Sequence, residues 1–185
     1  MRVIAGTYRG KKLKEFSLST TKPTLDRVKE SLFSSIQFDI INAQVLDLFS
    51  GTGALGIESL SRGAKSVKFV DCNIDAIKII KQNLEGIKGD FEVIKSDYMQ
   101  YLQYAKNQQL KYNIILLDPP FNSDFGEKAI NYIIENDLLL DGGIIMYEKS
   151  TSTPFNLYNE NYSVKQKKYG TVNVVKIIKE GVWDI

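Results

Sequence analysis

Val45-Leu46-Asp47-Leu48-Phe49-Ser50-Gly51-Thr52-Gly53-Ala54-Leu55-Gly56 is an apolar strand that runs into a glycine-rich turn and then into a helical segment. Glycine suits such a turn because the backbone angles are unusual and because a side chain would hold a ligand away from the chain. The same spacing also occurs in plain strand-to-helix turns, so its surroundings must decide. From Gln44 onward, short β-branched runs alternate with helix-period segments, the pattern of a largely parallel sheet covered by helices on both faces. Strands are expected over 44–48, 66–70, 91–95, 112–118 and 143–148, and helices over 54–62, 74–84, 98–106 and 127–136, the last followed by an Asp141-Gly142-Gly143 turn. Two extended runs, 162–169 and 171–179, flank Gly170 and predict a closing antiparallel hairpin.

Ahead of the sheet, Leu25, Val28, Leu32, Phe33 and Ile36 share one face of a helix that begins after Pro23 and Thr24, with Asp26 in its first turn. This helix is expected on the sheet's edge. Residues 1–22 read as extended, with a small hairpin through Tyr8-Arg9-Gly10. The first 29 residues hold eight basic side chains (Arg2, Arg9, Lys11, Lys12, Lys14, Lys22, Arg27, Lys29) against Glu15 and Asp26. Such an arm is either a solvated charged segment or one that attracts nucleic-acid phosphates.

The 185 residues fit one domain, 1–185, divided into a basic extension with its helix (1–40) and the α/β core (41–185). No apolar run approaches the roughly 18 residues that cross a bilayer, and the N-terminus lacks a signal-peptide pattern, so a cytoplasmic protein is expected. Cys72 is the single cysteine and there is no histidine, which removes His-based nucleophilic triads, a histidine general base and His-ligated metal sites. No metal is expected. Catalysis must rest on carboxylates, backbone groups, aromatic rings or a cofactor.

Three carboxylates stand at successive strand ends. Asp47 closes the first, Asp71 lies 20 residues beyond Gly51 where it can bond ribose hydroxyls, and Asp97 with Tyr98 follows the third strand, in reach of an adenine ring. Singly each is an ordinary cap or turn residue; together they suit an adenosine-bearing cofactor lying across the strand ends. The segment Asn113-Ile114-Ile115-Leu116-Leu117-Asp118-Pro119-Pro120-Phe121 narrows the chemistry. The prolines stiffen the loop and remove two donors. Asp118 and the Pro119 carbonyl can then accept the two hydrogens of an amino group while Phe121 offers a surface to its base. Held in this way, the nitrogen points its lone pair at a methyl donor, and orientation and electrostatics supply the rate.

Asp118-Pro119-Pro120-Phe121 resembles the signature of amino-methyltransferases acting on nucleic acids and on protein glutamine. More specifically, Arg2-Val3-Ile4-Ala5-Gly6, Tyr8-Arg9-Gly10-Lys11-Lys12-Leu13, the run from Lys22 to Phe33 and Asp47-Leu48-Phe49-Ser50-Gly51-Thr52-Gly53 resemble the RsmD family of 16S ribosomal RNA guanine-N2 methyltransferases. The resemblance implies a class I S-adenosylmethionine methyltransferase: a Rossmann-like, seven-stranded, mostly parallel sheet with a C-terminal antiparallel hairpin, preceded by a short basic extension. It implies that Asp47, Phe49, Ser50, Gly51, Thr52 and Gly53 cradle the cofactor, with Asp71, Cys72 and Asn73 at its ribose and Asp97 and Tyr98 at its adenine. Thr24 and Arg27 would lie near its methionyl end, Asp118 to Phe121 would receive the guanine, and Arg9, Lys11, Lys12 and Lys22 would hold RNA. The implied partner is 16S RNA in an assembling or assembled small subunit, met by a monomer. A nicotinamide dehydrogenase has no use for Asp-Pro-Pro-Phe, and adenine-N6 or protein-glutamine methyltransferases normally carry a different N-terminal segment or an added recognition domain. A non-catalytic assembly factor would not need Asp118.

Overall fold

The computed structural model describes residues 1–16, 23–152 and 154–181, with residues 23–25 as backbone only. Lys22 therefore lies outside the described residues, and Thr24 is placed in its helix without its side chain. The elements are α1 (Pro23–Ser34), β1 (Gln44–Asp47), α2 (Ala54–Ser61), β2 (Ser66–Asp71), α3 (Ile74–Asn83), β3 (Asp90–Lys95), α4 (Tyr98–Asn107), β4 (Tyr112–Leu117), α5 (Phe125–Glu135), β5 (Leu139–Ser150), β6 (Tyr162–Tyr169) and β7 (Val172–Lys179). They form a seven-stranded sheet in the order β3-β2-β1-β4-β5-β7-β6. Strands β1 to β5 run parallel, and β7 is antiparallel to both β5 and β6. The expected doubly wound α/β sheet with a terminal hairpin is what the chain builds. The order reverses between β1 and β4, and ligands of such sheets bind in the crevice at that point.

Strand alternation sorts the core into two layers. Val45, Val67, Phe69, Ile114, Leu116, Ile144, Met146, Val172 and Val174 face α1, α2 and α3, whereas Leu46, Val70, Ile115, Leu117, Ile145, Tyr147, Val175 and Ile177 face α4 and α5. Helix α1 thus departs from expectation. Its Val28, Leu32 and Phe33 are buried with residues of β1, β4, β5 and β7, so it covers the middle of one face and not the edge. The edge strands are β3 and β6, and the apolar stripe of α1 needs the broader apolar surface that only the sheet face offers. The Asp141-Gly142-Gly143 turn is the second departure. It is taken up inside β5, where Tyr112 pairs with Leu139 and Ile114 with Ile144, so the extra residues bulge out at Gly142 (φ 73°).

The glycine loop has a reason for each glycine. Gly51 (φ 55°) and Gly53 (φ 79°) adopt left-handed angles, and a Cβ on Gly56 would lie 2.2 Å from the Phe69 ring. Helix α2 can therefore lie close on β2.

Residues 1–16 are docked, not free. Arg2 and Lys12 form an antiparallel bridge, and the resulting turn is pressed so closely on α2 that a Cβ on Gly6 would meet the Ser61 carbonyl oxygen at 1.8 Å. Glu58, fully buried, accepts from the backbone N–H groups of Ile4 (2.8 Å) and Ala5 (3.0 Å) and from Arg62 Nε (2.8 Å), with Lys29 Nζ at 3.4 Å. Asn83 ties the arm to the glycine loop: its Oδ1 accepts from Lys14 N (2.7 Å), and its amide donates to the Lys14 and Thr52 carbonyls. Among the described residues no helix is long and apolar enough to cross a membrane.

Candidate active site

A cavity of about 260 Å³ opens where β1, β4 and β5 end. The glycine loop forms one wall through Phe49, Ser50, Gly51 and Thr52, with Ala54 and Leu55 behind it; Asp118 and Glu148 come from the strand ends, and Asp26 and Lys29 from α1. Ser50 locks the loop, because its hydroxyl donates to the Asp47 carbonyl (2.7 Å) and accepts from Val70 N (2.9 Å). Gly51 N in turn donates to Asp71 Oδ2 (2.9 Å).

Asp47 is buried, and one carboxylate oxygen accepts from Gly56 N (2.9 Å) while Oδ1 has no partner among the described residues. Burial, reinforced by the charges of Asp118 and Asp71, raises its pKa to about 7 despite the Gly56 bond. Asp118 is open to the cleft yet crowded by protein, and the resulting loss of hydration raises its carboxyl to about 6. Asp118 is reachable by a ligand and largely ionised at neutral pH. Glu148 is buried beside them, and burial followed by the charges of Asp118 and Asp47 raises it well above the usual carboxylate range. Lys29, the only basic side chain lining the cavity among the described residues, is itself buried and shifted down, burial outweighing the attraction of Glu58. The charged groups lining the cavity are thus mainly carboxylates, Glu15, Asp26, Asp118 and Glu148, a setting that favours a cation.

The Asp-Pro-Pro-Phe segment follows β4 directly. Pro120 O accepts from the Ser123 N–H (3.0 Å) and hydroxyl (2.7 Å), which folds the loop back on itself. Pro119 O takes no hydrogen bond among the described residues, and Phe121 is half exposed with its face available. Asp118 thus lines the cavity, whereas Pro119, which is buried, Pro120 and the half-exposed Phe121 line a small neighbouring hollow with Glu127 and Tyr147, Glu148 belonging to both.

The other expected residues spread outward. Asp71 spends both oxygens on backbone, accepting from Gly51 N and Asn73 N (2.8 Å). Asn73 caps α3 by accepting from Asp75 N, and Cys72 is exposed. Asp97 caps α4 through Oδ1, leaving Oδ2 out of both cap bonds. Tyr98 packs between Phe49 (5.1 Å between centroids) and Phe125 (5.2 Å). These residues lie outside the enclosed cavity, along the strand ends where an elongated ligand would extend. Arg27 is not brought to the cavity; it lines a separate groove with Arg2, Arg9 and Glu30. Of the basic arm residues, Arg9 and Lys12 are exposed and Lys11 Nζ bonds the Glu85 carbonyl (2.7 Å).

Glu148, Lys29, Glu58 and Phe125 were not anticipated. Glu148 could have been, since it ends an apolar strand as Asp47 and Asp118 do, and Glu58 stands as a charge inside a short, otherwise small and apolar helix. Lys29 and Phe125 give no local signal.

The family model described as Conserved hypothetical protein 95 matches residues 1–178. The chain is 36% identical over 177 residues to ribosomal RNA small subunit methyltransferase D of Haemophilus influenzae, covering 94% of this chain and 91% of that protein. To the protein of the same name in Escherichia coli it is 33% identical over 169 residues, covering 91% and 84%. The solved structure of the putative methyltransferase yhhF from Escherichia coli superposes with a TM-score of 0.85 at 32% identity over 98% of each chain. With the glycine loop and Asp118 lining one acidic cavity, and with likeness along nearly its full length, the chain belongs to the RsmD family, the one whose model is described as Conserved hypothetical protein 95.

Proposed function

We propose that this protein transfers a methyl group from S-adenosylmethionine to the exocyclic N2 amino group of a guanine in 16S ribosomal RNA. The observation that carries the reading is Asp118, which lines the acidic cavity together with the glycine loop, while the residues that follow it, Pro119, Pro120 and Phe121, line a small adjoining hollow, Glu148 belonging to both. The residues present fit the cofactor. Asp47 Oδ1 is a buried acceptor in want of a donor, Gly51 leaves open space where a Cβ would stand, and the acidic lining suits a sulfonium and an ammonium. Phe49, Ser50, Gly51 and Thr52 would hold it, with Asp71, Asp97 and Tyr98 farther along. S-adenosylmethionine supplies an electrophilic methyl group.

The chain's part is placement. Asp118 Oδ and Pro119 O accept the two amino hydrogens, Phe121 stacks on the base, and the nitrogen lone pair is aimed into the cavity. The amine need not lose a proton before attack; its proton becomes acidic once the methyl group has arrived, and Asp118 stands ready to take it. An ionised Asp118 is needed to accept, so protonation removes activity as the pH falls. The single-turnover rate should rise through an inflection near pH 6 and then level off. A rate that is flat from pH 5 to 8 would exclude this role.

We further propose that residues 1–185 act as one methyltransferase domain, a basic extension with its helix (1–40) joined to the Rossmann-like core (41–185), that the protein acts as a cytoplasmic monomer, and that its substrate is the small subunit during or after assembly. Exchanging Arg9, Lys11 and Lys12 for alanine should weaken RNA binding and make its salt dependence shallower by about one unit of slope for each phosphate no longer neutralised, with cofactor affinity unchanged. Filter binding across a salt series would decide this, and undiminished RNA affinity would rule the arm out. The reaction itself is tested with methyl-labelled S-adenosylmethionine and either ribosomal RNA or partly assembled small subunits from a strain lacking the gene. Labelled N2-methylguanosine supports the reading. Label in adenosine or in protein would redirect it to another amino-methyltransferase, and no label despite cofactor binding would favour a non-catalytic role.

A further inference from the structure

We propose a second RNA-binding surface, separate from the basic arm: the groove between α1 and the β6–β7 hairpin, which would take the phosphate backbone beside the target nucleotide. The inference rests on RNA being the substrate. The groove has a volume of about 470 Å³ and is lined by Lys165, Lys167 and Lys176 with the hydroxyls of Ser31, Ser34 and Tyr169. Cross-strand partners share a sheet face, and the pairings of Lys165 with Lys176, Lys167 with Val174 and Tyr169 with Val172 put both β6 lysines on the face that α1 covers.

Lys176 is held by Ser35 O (2.8 Å) and approached by Asp39 (3.5 Å), so it is a fixed charge. Lys165 and Lys167 are exposed and form no ion pair among the described residues; Lys167 lies over the Tyr169 ring at 5.2 Å. No carboxylate lines this groove among the described residues, in contrast to the acidic cavity and to the arginine groove with its Asp26 and Glu30. The Ser31 and Tyr169 hydroxyls bond each other and the Ser34 hydroxyl donates to the Glu30 carbonyl (2.8 Å), so the exposed ammonium groups of Lys165 and Lys167 are the donors that would meet phosphate oxygens.

Position relates the groove to the reaction. Glu148, in the cavity wall, pairs with Val174, which pairs with Lys167. Strands lie about 4.8 Å apart, so Lys167 stands about 10 Å from Glu148 along one row of the sheet. Helix α1 touches all three hollows: Lys29 in the cavity, Arg27 in the arginine groove, Ser31 and Ser34 in the lysine groove. A base turned out of its stack into the cavity would leave its flanking backbone against the lysines on one side and the arm on the other.

The test compares the wild-type protein with Lys165→Ala/Lys167→Ala and Lys165→Arg/Lys167→Arg. Binding is measured to a naked 16S RNA transcript and to small subunits across a salt series. The alanine pair is expected to bind the transcript roughly tenfold more weakly near 0.1 M salt, with a slope shallower by about two, while the arginine pair binds as wild type. Both should keep wild-type melting and cofactor affinity. Unchanged transcript affinity and slope in the alanine pair, with the wild type binding and methylating, would overturn the groove and leave methyl transfer standing. A defect seen only on small subunits and not on the transcript would assign the groove to a protein and also overturn it. A wild type that binds neither RNA nor subunits would instead refute the RNA reading, and this inference with it.

Discussion

Asp118→Ala is expected to lower single-turnover methyl transfer by roughly 10²- to 10³-fold, the usual cost of deleting one preorganised polar group at the reacting centre. Cofactor affinity should be retained, because the glycine loop is held by Ser50, Asp71 and Asn83 and none of these bonds involves Asp118. The loss should fall on the rate more than on the RNA affinity, since binding of the RNA backbone is assigned to the arm and the lysine groove. Rapid-quench kinetics beside cofactor titration read the two separately. Turnover near the wild-type level would remove Asp118 from the site; equal losses of rate and cofactor affinity would make it a structural residue.

Glu58→Ala is expected to be the most damaging change to stability. Glu58 is fully buried and receives two backbone N–H groups of the arm, Arg62 and the nearby Lys29. Truncation strips Ile4 N and Ala5 N of their acceptor and leaves the ammonium of Lys29, 4% exposed, with the Arg2 carbonyl as its remaining close partner. Removing one member of a buried ion pair typically costs about 3–5 kcal/mol. At about 2–4 °C per kcal/mol for a chain of this size, the melting temperature should fall by roughly 6–20 °C. Denaturant unfolding of the two proteins checks it, and a difference below about 1 kcal/mol would mean that the arm is held by other interactions. If the arm loosens without global unfolding, RNA binding should drop with it, since Arg9 and Lys12 ride on that hairpin.

Most of the architecture was legible in local pattern. The short β-branched apolar runs of β1 to β5, the period near 3.6 between them and the glycines of the loop after β1 are set by neighbours in the chain, so the strands and helices lie within a few residues of where the pattern puts them. The closing hairpin was legible for the same reason, with Gly170 at φ 59° in its turn. Strand β5 was read short because a glycine pair that signals a turn is also what a bulge requires. The direction in which α1 packs was misjudged, since an apolar stripe states that a face is buried and not against what.

The site divides in the same way. Asp47, the glycine loop and Asp118 to Phe121 were readable because each is a short run whose chemistry is complete within itself. Lys29, Glu58 and Glu148 acquire meaning only when elements 29 to 119 residues apart meet, which raises Glu148, lowers Lys29 and turns Glu58 into the clamp of the arm. Arg27 shows the converse, a charge near the site in sequence that the helix turns toward another groove. The sequence by itself determined the α/β order, the glycine cradle and the acceptor loop, since backbone angle preference and side-chain type act within a few residues. Only the tertiary structure decided which charges are buried together and which grooves flank the cavity, because burial and electrostatic coupling depend on distance in space, which local pattern does not encode.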